Sequence, residues 1–179
     1  LTPLLYKKTD AFMSAFKSKL QSKVRLSNDT IYMGNTPASA KALATCTHSL
    51  LTILQQMMKE SDNLYAESML YQIAASSGNK NVSADDGLDI VKGLVNSIGF
   101  DADSYKFADG SGLSLYNYVS AELECMLLRY AFHKDEIFRF LYPSLPVAGR
   151  DGTLSKRMKN TSAEGNVHAK TGTLTGVSS

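Results

Sequence analysis

Four consecutive residues near the end of the chain, Lys170-Thr171-Gly172-Thr173, carry the most motif-like pattern in the sequence. Random order of the same composition gives about 0.06 K-T-G tripeptides, and the added Thr173 lowers that number to about 0.004. The pattern is therefore moderately specific. K-T-G is one of three short motifs, with S-x-N and S-x-x-K, that together indicate acyl transfer through a serine nucleophile.

The S-x-N pattern is expected about once by chance and occurs twice, at Ser61-Asp62-Asn63 and at Ser77–Asn79. Ser61 interrupts two strongly apolar helical segments, so its polar turn is expected to be partly buried. Ser77 lies among Ser, Gly and Asn residues, which is typical of a solvated helix end. The side-chain amide of Asn63 can donate one hydrogen bond and accept another. We therefore predict that the first copy is the functional one.

The S-x-x-K motif places a lysine one helical turn from a serine, where a desolvated amine can take the hydroxyl proton. Two copies occur, at Ser14–Lys17 and at Ser77–Lys80, and chance predicts about 1.6. The first lies in a basic amphipathic helix and reads as a solvated face. The second includes Gly78, which makes the required turn doubtful. Neither copy is predicted to carry the nucleophile.

The elements that must position these residues are mostly helices. Apolar spacing and polar cap residues predict helices at Ala11–Lys23 after Asp10, Leu50–Glu60 after Ser49, Leu64–Ser76, Asp85–Ile98 from Ser83 to Gly99, Ala121–His133 after Ser120, Asp135–Tyr142 before Pro143, and a short one at Thr153–Lys159. Strands are predicted at Thr30–Met33, Ala42–Thr47, Tyr105–Ala108 and Val167–Ser178.

The predicted strand Val167–Ser178 contains the K-T-G motif, yet the printed sequence stops directly after it. One or two isolated strands are not stable without sheet partners, and no other predicted strand forms an obvious hairpin with this one. We therefore expect the chain to be a piece of a larger fold.

Composition limits the class of protein. Apolar residues make up 44% of the 179 residues and charged residues 20%, which is typical of a chain with a packed core. The net charge of +2 includes no basic block, so nucleic acid is not expected as a partner. Three scattered histidines and two cysteines lack the spacing of a metal site, so we expect no metal and no cofactor.

Taken together, four segments resemble D-alanyl-D-alanine carboxypeptidases, and more narrowly the class C low-molecular-mass penicillin-binding proteins of the carboxypeptidase/endopeptidase group. These segments are S-D-N-L-Y-A-E at Ser61–Glu67, D-G-S-G-L-S at Asp109–Ser114, G-R-D-G-T-L at Gly149–Leu154, and His168–Ser179. The resemblance covers nearly all of Ala11–Ser179, and the four segments stand in the right order.

The resemblance implies an α/β (α+β) penicillin-binding-protein/β-lactamase-like transpeptidase fold. Residues 1–179 are then expected to form a partial domain, with the mostly helical part and the K-T-G strand but without the nucleophile-bearing portion and the last strands. The family's S-x-x-K motif lies well before S-D-N, and inserted domains separate the two. The implied partners are peptidoglycan stem peptides ending in D-Ala-D-Ala, β-lactam antibiotics, and the remainder of the fold. The implied location is the periplasm or cell envelope.

The resemblance also implies roles for individual residues. Ser61 is expected to relay a proton between a lysine and the leaving amine, and Asn63 to bind a substrate carbonyl. Lys170, with Thr171 and Thr173, is expected to hold the terminal carboxylate. Gly172 leaves room towards the helix of the nucleophile, and the backbone N–H near Thr173 can complete an oxyanion hole. No metal takes part.

Two alternatives remain open at this stage. A β-lactamase of the same fold would need a carboxylate that activates the deacylating water, commonly in an E-x-x-L-N-like loop, and none is found. A non-catalytic peptidoglycan-binding module would explain a chain without a nucleophile. The Asp109–Ser114 loop, with two glycines around a serine, is interpreted as structural.

Overall fold

The computed structural model describes residues 8–28, 30–31, 34–79, 81–174 and 177–178, and the chain forms two compact units, Leu1–Cys46 and Thr47–Ser179. The first unit contains helix α1, Lys8–Gln21, in which the rings of Phe12 and Phe16 stack with centroids 6.2 Å apart. The predicted helix is present, but it begins before Asp10. Asp10 therefore lies in the first turn, where a negative charge favours the helix dipole, and does not cap it.

The second unit is mostly helical. Its described elements are α2 (Leu50–Lys59), α3 (Asn63–Ala75), α4 (Ala84–Ser97), α5 (Ala121–Phe132), α6 (Asp135–Ser144), 3-10 turns at Ala102–Ser104 and Gly152–Leu154, and strands β1 (Thr173–Leu174) and β2 (Val177–Ser178). Within the described residues, no helix is both long and apolar enough to cross a membrane.

Side-chain caps explain where three of these helices begin. The hydroxyl of Ser49 accepts a hydrogen bond from the amide of Thr52 at the start of α2. Ser83 and Asp86 form a reciprocal capping box at the start of α4. Ser120 accepts from the amide of Leu123 at the start of α5. Each cap satisfies an amide that has no partner within its helix, a contribution of about 1 kcal/mol. All three predicted helix starts are confirmed.

The helices pack in pairs around a small core. Helix α3 contacts α4, and α6 contacts both α2 and α5. Val95, Ala102 and Leu123 form a buried cluster, against which Phe100 and Tyr105 pack. Complete burial of side chains such as Leu123 and Val95 stabilises a fold by about 1.5–3 kcal/mol each. Because α2 and α3 are anchored on different neighbours, the turn between them is held from both sides.

The strand predictions are largely wrong. Ala42–Thr47 is irregular and exposed, and Leu43 is fully exposed. Thr30 and Ile31 are irregular as well, while Tyr32 and Met33 lie outside the described residues. Tyr105–Ala108 contributes only one bridge, from Lys106 to Tyr118. A strand needs a neighbour for its backbone groups, and apart from the bridge between Lys106 and Tyr118 these segments have none in the described structure.

The predicted strand Val167–Ser178 is divided. His168 forms a single bridge with Val147, and β1 pairs antiparallel with β2 through Thr173–Ser178 and Leu174–Val177. Lys170–Gly172 therefore lie just before a short hairpin and not within a strand. These three residues are not part of a strand because, among the described residues, none pairs with the backbone of Lys170–Gly172 in a ladder.

Two helix predictions also need correction. Pro143 does not end α6 but lies inside its last turn, and the helix continues to Ser144. The predicted helix at Thr153–Lys159 is only the 3-10 turn Gly152–Leu154, followed by further turns. Met158 has a φ of +58°, and such a left-handed residue cannot continue a right-handed helix to Lys159.

Candidate active site

The turn between α2 and α3 holds Ser61 in a strained backbone conformation. Ser61 has a φ of 56°, a left-handed value that is uncommon for any residue other than glycine. Directly after it, the carboxylate of Asp62 accepts hydrogen bonds from the amides of Leu64 and Tyr65, at 3.0 and 3.1 Å. Asp62 thus points back into the protein and braces the turn. The cap fixes the first turn of α3, which begins with Asn63.

Lys170 and Ser61 are in direct contact. Nζ of Lys170 donates a hydrogen bond to Oγ of Ser61 over 2.8 Å, and a second one to the carbonyl of Thr171. The Lys170 residue as a whole is exposed, but desolvation of its ammonium group lowers its pKa below the usual value of 10.5. A lysine in this state can bind an anion and can also give up a proton more readily than an ordinary lysine.

An open cleft of about 290 Å³ surrounds this contact. All six residues that the sequence predicted for the site line this cleft: Ser61, Asn63, Lys170, Thr171, Gly172 and Thr173. The other lining residues are Ser111, Gly112 and Leu113 of one loop, and Leu174 of β1. The cleft combines a cation, several hydroxyl groups and a side-chain amide. It is thus equipped to bind an extended ligand that carries both an anionic group and peptide groups.

The other S-x-N copy is arranged differently. The hydroxyl of Ser77 donates to the carbonyl of Ala74 over 2.8 Å and closes the last turn of α3. Ser77 also accepts from the amide of Asn79. Both contacts are local, so this copy is a helix end, in agreement with the interpretation from the sequence.

The loop Asp109–Ser114 forms one wall of the cleft and is tied to α3. One carboxylate oxygen of Glu67 accepts from the amides of Gly110 and Ser111, at 2.9 and 3.0 Å. A Cβ added at Gly110 would lie 2.8 Å from Cβ of Leu70, so only glycine allows this close approach to α3. The role of Glu67 was not predicted from the sequence. A signal existed, because Glu67 follows Asn63 by four residues and therefore shares its helix face.

Asp109 organises the same loop from within. Its carboxylate accepts from the side-chain amide of Asn117, the hydroxyl of Ser111, and the backbone amides of Gly112 and Ser114. Burial alone would raise the pKa of Asp109, but these hydrogen bonds to the charged form outweigh it and lower the pKa. The interpretation of the loop as structural is therefore incomplete, since the internally braced loop also presents Ser111, Gly112 and Leu113 to the cleft.

The G-R-D-G-T-L run lies against the end of α2. Asp151 forms an ion pair with Lys59, with Nζ and Oδ2 2.5 Å apart, and accepts from the amide of Val147. Burial would raise the pKa of Asp151, but Lys59 and that amide lower it, with a smaller contribution from the charge of His168. Thr153, which follows, accepts a hydrogen bond from the hydroxyl of Thr171. The role of Thr153 was not predicted from the sequence.

Beside the cleft lies a larger groove of about 460 Å³ that shares Ser61, Asn63 and Lys170 with it. The rest of its lining is mainly apolar: Met57, Met58, Ala66, Met69, Leu70, Ile73, Leu88, Val91 and Phe107. The polar groups of the site are thus found at the edge of an apolar surface.

The family described as "D-Ala-D-Ala carboxypeptidase 3 (S13) family" matches residues 6–179. The chain belongs to this family. The resemblance predicted from the four motif segments is thereby confirmed.

Individual relatives agree with this assignment. The chain is 39% identical over 132 residues to the carboxypeptidase DacB of Mycolicibacterium smegmatis, across 71% of this chain and 28% of that protein. It is 36% identical over 172 residues to a D-alanyl-D-alanine carboxypeptidase of an Actinomadura species, across 91% of this chain and 32% of the relative. The chain therefore spans about a third of the length of the relatives it matches.

Solved structures confirm the fold. The chain is similar to penicillin binding protein 4 of Haemophilus influenzae, with a TM-score of 0.65 and 34% identity over 71% of this chain and 28% of that one. A second crystal structure of that protein, in complex with a β-lactam, gives a TM-score of 0.60 and 32% identity. The predicted fold class is correct, and the chain holds a mostly helical part of a penicillin-binding-protein fold.

Proposed function

We propose that the protein of which this chain forms part is a serine-type D-Ala-D-Ala carboxypeptidase, with endopeptidase activity as a variant of the same chemistry. Its substrates would be peptidoglycan stem peptides ending in D-Ala-D-Ala, and β-lactams would acylate it. The observation that carries this proposal is the 2.8 Å contact between Lys170 and Ser61 at the centre of the cleft. Membership in the carboxypeptidase family supports it.

The reaction is acyl transfer in two steps. A serine outside the described site attacks the penultimate carbonyl of the peptide, and the terminal D-Ala leaves as an amine. Water then hydrolyses the acyl-serine ester. The attacking serine and its S-x-x-K lysine would come from the remainder of the fold, since the two S-x-x-K copies in this chain are assigned no catalytic role. Residues 1–179 would thus be one part of the penicillin-binding domain.

The residues of the cleft would bind the substrate and move the proton. The ammonium of Lys170 and the hydroxyls of Thr171 and Thr173 would bind the terminal carboxylate. Asn63 would donate from its side-chain amide to a substrate carbonyl.

Ser61 would give its hydroxyl proton to the leaving amine while it accepts the proton that the S-x-x-K lysine has taken from the attacking serine, so no net charge develops on Ser61. Lys170 would keep its own proton and hold Oγ of Ser61 through the 2.8 Å hydrogen bond. Gly172 would leave space for the acylated serine.

The proposed substrate places the enzyme at the cell envelope, in the periplasm, because that is where stem peptides are exposed. No cofactor or metal is required for this chemistry, since every step is a proton transfer or an acyl transfer.

A labelling experiment on the full-length polypeptide tests the proposal. We expect one equivalent of a labelled penicillin in the intact mass spectrum, and release of D-Ala from a peptide ending in D-Ala-D-Ala. Rapid hydrolysis of the β-lactam without D-Ala release would instead identify a β-lactamase-like enzyme. Binding of the peptide without any covalent adduct would identify a binding module. Either result would contradict the proposal.

A further inference from the structure

The hydroxyl group of Thr171, a residue that lines the cleft, is paired with the hydroxyl group of Thr153. Oγ1 of Thr171 donates to Oγ1 of Thr153 over 2.8 Å. The two residues are 18 positions apart, and Thr153 belongs to the 3-10 turn Gly152–Leu154. The function proposed above uses Thr171 and assigns nothing to Thr153.

Thr153 is held rigidly relative to the end of α2. Lys59, the last residue of α2, forms an ion pair with Asp151 and also donates to the carbonyl of Leu145 over 3.2 Å. Gly152 has a φ of +53°, and a Cβ added to it would lie 2.6 Å from the carbonyl oxygen of Lys59. The backbone of the 3-10 turn therefore rests directly on α2, whose end precedes Ser61 by two residues. The same brace thus positions both Ser61 and Thr153.

A hydroxyl group has a single proton, and this limits what Thr171 can do. While Thr171 donates to Thr153, it cannot donate to an anion in the cleft. It can do so and keep its bond to Thr153 only if the pair reverses, so that Thr153 donates to Thr171 and Thr171 donates to the ligand. Hydrogen bonds in such a chain polarise one another, so the outer bond becomes stronger. The hydroxyl of Thr153 has the proton that this reversal needs.

We propose that Thr153 is a specificity-determining residue, which directs the Thr171 hydroxyl towards a carboxylate and thereby favours ligands with a free C-terminal carboxylate. The inference rests on the function proposed above. Thr153 acts through Thr171 and is a positioning residue. Its loss should weaken the recognition of the carboxylate and leave the acyl-transfer chemistry itself intact.

The test compares two acyl donors in the full-length protein. Both are acyl-D-Ala thioesters, which react readily, and their leaving thiols carry either a carboxylate or a carboxamide. We expect Thr153→Val to lower kcat/KM for the carboxylate donor about 5- to 20-fold and to change that for the carboxamide donor less than twofold. Thr153→Ser, which keeps the hydroxyl, should restore the preference.

Controls separate this role from a structural one. An equal loss for both donors in Thr153→Val, or no loss for either, would overturn the inference while leaving the carboxypeptidase proposal in place. An unmodified protein that processes neither donor would overturn both. Lys59→Met should lower kcat/KM for both donors together, because it loosens the contact between the 3-10 turn and α2. Lys92→Met removes a solvent-accessible ion pair with Asp89 and should change kcat/KM for neither donor.

Discussion

Nζ of Lys170 lies 2.8 Å from Oγ of Ser61, although the two residues are 109 positions apart in the chain. Ser61 reaches this position only with a left-handed backbone, at a φ of 56°. Such a conformation costs a residue other than glycine about 1–3 kcal/mol, and it persists where the surrounding structure enforces it. Here the cap by Asp62 and the end of α2 enforce it. The contact therefore ties the S-x-N turn to the K-T-G segment at some cost in stability.

Two replacements of Ser61 should reduce turnover equally but differ in melting temperature. In the full-length protein we expect Ser61→Ala and Ser61→Gly each to slow turnover of a D-Ala-D-Ala peptide about 10²–10⁴-fold, because both remove the proton relay. Ser61→Gly should nevertheless melt at a higher temperature than Ser61→Ala, since glycine adopts a positive φ without strain. Steady-state kinetics and thermal denaturation measure the two effects. Ser77→Ala is the control, and a larger loss of turnover in that variant would show that the wrong S-x-N copy was chosen.

Removal of the Lys170 charge should weaken acylation. A charge-assisted hydrogen bond contributes about 1.5–3 kcal/mol, so Lys170→Ala should slow acylation by penicillin and by D-Ala-D-Ala peptides about 10- to 150-fold. Stopped-flow acylation rates of the full-length protein measure this. Lys92→Ala, which removes an exposed lysine of α4, serves as control and should leave the rates unchanged. Equal rates for Lys170→Ala and the unmodified protein would contradict the role of Lys170.

The pH dependence of substrate binding should follow the lowered pKa of Lys170. The carboxylate binds the protonated lysine, so kcat/KM should fall as the pH rises through the folded-state pKa, which lies below 10.5. Lys170→Arg should move this fall to higher pH, because arginine stays protonated. The contribution of Lys170 to the free energy of unfolding changes with pH in the opposite direction to kcat/KM. The unfolded state binds more protons between the two pKa values, so the stability contribution of Lys170 rises with pH in that window. An alkaline limb that is identical in Lys170→Arg would contradict the assignment.

Loss of the Glu67 carboxylate should release the loop Asp109–Ser114 from α3. Glu67→Ala leaves the part-buried amides of Gly110 and Ser111 without their acceptor, and each costs less than the roughly 1–3 kcal/mol of a fully buried unsatisfied group, because water can reach it. We expect a lower melting temperature and a higher KM for the peptide, because the wall of the cleft is no longer fixed.

Two matched variants test this prediction in the full-length protein. Glu67→Gln retains an acceptor oxygen and should recover most of both effects. Glu136→Ala, at an exposed position of α6, should show neither. A KM for Glu67→Ala equal to that of the unmodified protein would show that the loop keeps its position without the carboxylate.

The sequence was sufficient to predict features that depend on near neighbours. The helix starts at Ser49, Ser83 and Ser120 could be predicted, because a cap joins residues that are only three positions apart. The strands were not predictable in the same way. A strand depends on a partner, and the segment at Ala42–Thr47 has none in the described structure despite its composition.

The candidate site shows the same division. Ser61, Asn63 and Lys170–Thr173 could be selected because they stand in short motifs. Their meeting around one cleft depends on how α2, α3 and the segment before β1 pack, which local spacing does not encode. Spacing places Glu67 on the helix face of Asn63 but does not show its partner Gly110, which is 43 positions away, and the partner of Thr153 is 18 positions away.

The 179-residue chain alone should not form a covalent adduct with penicillin. In the described structure, Ser61 contacts Lys170, but the proposed mechanism uses its hydroxyl as a relay. Of the two S-x-x-K serines, Ser77 donates its hydroxyl to the carbonyl of Ala74, and Ser14 is exposed on α1. The sequence predicts a solvated basic face around Ser14, and a serine on such a face is expected to react no faster than serine in solution. Intact-mass spectrometry after incubation with penicillin should therefore show the unmodified mass, and full-length protein serves as the positive control. A stoichiometric increase that maps to Ser14, Ser61 or any other serine of this chain would show that the chain carries the nucleophile itself.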